Sequence, residues 1–165
     1  MISSAYLRTM ASYNTAMNQR LYAAAGRLSD AERRLDRGAF WGSIHGTFSH
    51  LLWADAMWMS RFDGWQKPPV PLPQSAGPFD EFAAMAAARV EADARLEQWA
   101  ARVDDDWLAQ DQAWSCGAAR RELRRPRTLL LAHVFNHQTH HRGQAHAMLT
   151  AAGENTGDTD LMALA

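Results

Sequence analysis

A single cysteine, Cys116, is all that this 165-residue sequence offers to thiol chemistry. One cysteine cannot close an intrachain disulfide, and nothing in its use marks an oxidising compartment. A surplus of charge is also lacking, since 17 basic side chains nearly cancel 18 acidic ones. That balance removes the electrostatic reason to expect nucleic acid or an anionic membrane as a partner. No apolar run approaches the ~20 residues that a bilayer span requires. The opening stretch, MISSAYLRTMASYN, lacks a basic segment followed by a continuous apolar one, so it does not read as a signal peptide. Repeats and low-complexity segments are missing as well. Together these absences predict a cytoplasmic protein.

What is present is a chain with 47% hydrophobic residues and seven tryptophans. That composition suits a globular protein with a single core, read as one domain over residues 1–165. Four segments carry helical periodicity. In the first, Leu7, Met10, Asn14, Met17 and Leu21 recur at three- and four-residue steps, with Asn18 one turn beyond Asn14. Ser29 followed by Glu32 reads as a capping box opening a short helix over 30–36. A long helix is expected from Trp41 to Phe62. Its main stripe is Ile44, Phe48, Leu51, Asp55, Trp58 and Phe62, while His50, Trp53 and Met57 fall on another side. A helix apolar on two sides is one contacted from two sides.

The segment DGWQKPPVPLPQSAGP holds five of the six prolines and reads as a stiff crossover. A third long helix is predicted over 79–103, with Phe82, Met85, Leu96 and Val103 inward. Residues 104–125 show no clear period; they include Trp107, Trp114, Cys116 and Gly117 and lead into the basic run ARRELRRPR. Glu122 interrupts that run, which reads as a solvated edge. Pro126 suits the first turn of the last helix, which should stop at Gly153. The fold class predicted is all-α, a four-helix bundle with a long proline-rich crossover.

Five of the seven histidines fall in the last helix. On a helical wheel His133, His137 and His141 share a stripe with Leu130, Val134, Gln144 and Met148; His140 sits at its edge, and Phe135, Arg142 and His146 point away. The stripe is read as core-facing, and several buried imidazoles need partners for their ring nitrogens. His137 and His141, four residues apart, present two rings to one side, the spacing by which a helix offers two nitrogens to a divalent metal. His133 lies about 12 Å along the axis from His141, too far to share one ion with both. A third ligand must come from another helix, where His45 and His50 are the candidates. Gln138, Thr139 and His140 stand between the pair, so the glutamate base of a HExxH metalloprotease is missing.

These residues resemble the DinB (damage-inducible) superfamily of metal-binding four-helix bundles. HVFNHQTHHRGQ (133–144) is similar to its last-helix signature, TFSHLLWADAMWMSRF (47–62) to its second-helix motif, YNTAMN (13–18) to its first, and DTDL (158–161) to its C-terminal segment. The resemblance implies His50, His137 and His141 as metal ligands, choosing His50 over His45 where the wheel does not. It also implies a homodimer, and an enzyme that applies a small-molecule thiol to an electrophile, a metal-dependent thiol S-transferase. Zinc or nickel is the expected ion, with iron and copper as alternatives. A non-catalytic metal-binding stress or sensor protein and a metal-dependent hydrolase are the competing readings. Asn14, Asn18 and Gln144 are candidates to hydrogen-bond ligand histidines or to tie helices together, and Asp55 is expected to pair with Arg89 or Arg142. Cys116 has no spacing partner and is read as a bystander.

Overall fold

The computed structural model describes residues 2–116 and 121–164. Helix α1 spans Ser4–Ala25, with the Ser3 side chain accepting from the Tyr6 amide at its start. The short α2, Asp30–Arg34, carries the full capping box of Ser29 and Glu32. Helix α3 is Ile44–Phe62, α4 is Phe82–Arg102, and α5 is the single turn Asp105–Leu108. Helix α3 begins three residues later than the periodicity predicts, because Ser43 caps it by accepting from Gly46 N.

The described residues of the aperiodic stretch 104–125 are not irregular. After α5 they form an antiparallel hairpin of β1 (Asp111–Cys116) and β2 (Arg121–Pro126). In β1 the half-buried Gln112 and Trp114 alternate with exposed neighbours, the period of two proper to a strand. Trp114 packs 6.1 Å from the Trp58 ring on α3. Gly117 and the first residues of ARRELRRPR lie outside the described residues. The exposed remainder of that run pairs locally, Arg124 with Asp111 at 3.0 Å. Helix α6, Arg127–Ala151, starts directly where the hairpin closes, so Pro126 is its N-cap and not its first residue. It ends before Gly153, whose φ of 88° suits glycine.

The four long helices enclose the core. Helix α1 packs against α4 and α6, and α3 packs against the same two. The segment between α3 and α4 holds only a 3-10 turn at Leu72–Gln74 and lies along the second side of α3. There Trp53 Nε1 donates to Val70 O at 2.8 Å, and Ser49 Oγ donates to Ser75 O. This is the physical cause of the second apolar side of α3.

On α6 the histidine stripe proves to be the margin of the core face. The buried residues are Leu130, Leu131, Val134, Phe135, Gln138, His141, Arg142, Ala145, Met148 and Leu149. Phe135 and Arg142, expected to point away, are inside, because α1 covers α6 on one side and α3 on the other. His133 and His140 are exposed and His137 is half-buried.

Candidate metal centre

His50 arrives from α3 and His137 and His141 from α6. One ring nitrogen from each lies within 4.8 Å of the other two. The Nε2 atoms of His50 and His137 are 3.2 Å apart. Two nitrogens held about 2.0–2.1 Å from one tetrahedral ion stand about 3.4 Å apart, so this spacing fits a shared cation. The helical spacing of four residues brings the His137 and His141 rings to 4.5 Å.

Each outer ring is held by its second nitrogen. His141 Nδ1–H donates to Gln144 Oε1 at 2.8 Å, which leaves Nε2 as the free lone pair. His50 Nδ1 meets Ser75 Oγ at 2.8 Å, and the tautomer donating to that hydroxyl likewise frees Nε2. Trp41 stacks on His50 at 4.1 Å and 24°, and Trp53 lies beyond at 6.0 Å. Burial, followed by the neighbouring His141 and His137 rings, pushes His50 down to about 3. Burial and His141 take His137 down to about 4, against an upward pull from Asp55. His141 is lowered too, again by burial first. Rings with such depressed basicity are neutral at pH 7, the form that can ligate a metal.

The other four histidines stand apart. His45 Nε2 donates to Phe79 O at 2.7 Å, tying α3 to the segment that leads into α4. His133 rests against Trp58 at 5.4 Å. His140 lies beside His141 but turns its Nε2 to the Gln144 amide at 3.3 Å. His146 meets Thr156 Oγ1 at 2.7 Å on the far side of α6.

Asp55 pairs with Arg89 at 2.6 Å and accepts from Gln138 Nε2 at 2.6 Å, so both its oxygens are engaged. Arg89 also pairs with Asp93 at 2.8 Å. Asn18 donates to Asp93 at 2.9 Å, and Asn14 accepts from Arg142. Asn14 and Asn18 therefore tie helices together, whereas Gln144 orients a histidine. Sequence reasoning missed Ser75 and Trp41. Ser75 is fully buried inside a proline-rich loop, where no periodicity could single it out. Trp41 precedes the helix that carries its partner.

Among the described residues, no helix is long and apolar enough to cross a membrane. No curated protein and no solved structure matches the chain. The model of the DinB family, in contrast, matches residues 1–165. With a three-histidine cluster able to hold a metal ion between its second and last long helices, α3 and α6, this chain belongs to the DinB family.

Proposed function

We propose that His50, His137 and His141 bind one divalent metal ion and that the protein is a cytoplasmic metal-dependent enzyme applying a low-molecular-weight thiol to a small electrophile. The observation that carries this reading is the convergence of three neutral imidazoles, two of them oriented through their second nitrogens by Ser75 and Gln144. A divalent ion held by three neutral ligands keeps its full charge and supplies Lewis acidity that favours a thiolate over a thiol. Zinc or nickel suits the donor set, and iron or copper is also compatible with imidazole. The residues fix the positions of the donor nitrogens, and Trp41 and Trp53 flank His50 with apolar surface. The architecture we infer is a single-domain four-helix bundle in which the proline-rich segment is the crossover, and the assembly is a homodimer.

A metal-dependent hydrolase needs a base to take a proton from water. Asp55 is disqualified by its engagement with Arg89 and Gln138. That same observation leaves a binding protein without turnover as the second reading, because a transferase must receive its nucleophile from outside. Product formation from model electrophiles, measured with a panel of small thiols and without thiol, separates the readings. Saturable dependence on one thiol, retained in Cys116→Ser, is expected. Absence of any rate above buffer with every thiol would favour the binding protein.

A further inference from the structure

On the side of α6 away from the histidine cluster, a cavity of about 130 Å3 lies between α1, α6 and the C-terminal tail. Its lining includes Arg20, Arg142 and His146, and among the described residues no carboxylate. Arg142 is buried, 5% exposed, and its donors go to neutral oxygens: Asn14 Oδ1, and Thr139 Oγ1 at 3.4 Å. The carboxylates of the interior, Asp55 and Asp93, are both taken by Arg89.

The four interior ions, Asp55, Arg89, Asp93 and Arg142, sum to zero. Arg20, half-exposed, adds a positive charge at the cavity, and among the described residues it donates to a backbone oxygen, that of Asp158. One negative charge would balance it. Gly143 is a second indication: it lines the cavity from mid-helix, and a Cβ built there meets nothing within 4 Å. Glycine costs a helix interior about 0.5–1 kcal/mol relative to alanine, and here no steric contact requires it. It is exposed, and it leaves the mouth of the cavity open.

We infer that this cavity between α1, α6 and the tail is a binding site for a small carboxylate, held by Arg20 and Arg142. The volume is close to the ~150 Å3 of a cavity that holds benzene, which suits an anion of a few heavy atoms. Paired N–H donors of a guanidinium match the two oxygens of a carboxylate. The tail residues Thr156 and Thr159 complete the lining, so an occupied site also holds the tail against α1.

Thermal unfolding in sodium acetate, against sodium chloride at equal ionic strength, tests this on the purified chain, Arg20→Met and Gly143→Leu. Acetate at about five times its dissociation constant should raise the wild-type Tm by roughly 2–4 °C. Both variants should lose that shift while keeping their metal content. Arg20 lies at the edge of the cavity and Gly143→Leu improves helix propensity, so both variants fold. No wild-type shift, or a shift undiminished in both variants, which would place the acetate elsewhere, overturns the inference. A shift with inorganic phosphate and none with acetate overturns the carboxylate class. None of these outcomes depends on the thiol chemistry of the histidine site.

Discussion

At the scale of single residues, the site depends as much on the groups behind the imidazoles as on the imidazoles themselves. Gln144 and Ser75 each hold one ring in the orientation that presents Nε2. Gln144→Leu and Ser75→Ala should each weaken metal affinity by about 10–100-fold without unfolding the chain, as competition with a chelator would measure. The depressed basicity of His50 and His137 has a consequence for the metal-free protein. Their folded values, about 3 and about 4, lie below the unfolded value near 6.5. The unfolded chain therefore takes up protons first as pH falls, and stability drops through the window from about 6.5 towards 4. Denaturant unfolding of metal-free protein should show this loss, and His50→Gln should reduce the slope. A flat profile across that window would contradict the burial of neutral rings. The histidine spacing in the sequence was sufficient to single out His137 and His141, which the structure brings together. His50 required the family resemblance, because it lies off the main stripe of its helix and faces α6 through the second side of α3.

At the scale of elements, α3 and α6 carry the site, and their packing explains what a wheel misreads. Hydropathy counts Gln138 and Arg142 as outward, yet both are buried, where Gln138 Nε2 donates to Asp55 and Arg142 donates to Asn14. Polar residues that pair across helices are invisible to a pattern built on apolar spacing. The hairpin escaped for a different reason: each strand has six residues, and the alternation in DQAWSC is too short to stand out. The start of α3 makes a sharp prediction. A Cβ at Gly46 would lie 2.5 Å from Trp41 O, a backbone atom, whereas one at Gly143 meets nothing. Gly46→Ala should cost about 1–3 kcal/mol through overpacking and disturb the Trp41 ring on His50. Gly143→Ala should stabilise by about 0.5–1 kcal/mol. Urea denaturation of the two variants checks the contrast, and equal effects would contradict the close approach of α3 to residue 41.

At the scale of the whole molecule, one buried polar network joins all four long helices. Asn14 and Asn18 come from α1, Asp55 from α3, Arg89 and Asp93 from α4, and Gln138 and Arg142 from α6. Such a network specifies how the helices meet, since any other register would strand a buried charge. The tryptophans are largely used within the chain: Trp65 and Trp99 are buried, and the other five are half-buried. Exposed apolar surface remains at Phe40, 76% exposed, and at Val90 and Met162. Light scattering at micromolar concentration should return twice the 18.5 kDa chain mass, and the monomer mass would remove the homodimer. The claim on which the functional reading rests is a metal held by His50, His137 and His141. Elemental analysis of protein purified without a nickel column tests it most directly. The account predicts about one divalent ion per chain, lost in His50→Ala, His137→Ala and His141→Ala and kept in His45→Ala, His133→Ala and His146→Ala. Full metal content in His50→Ala, or equal loss across all six variants, would contradict it.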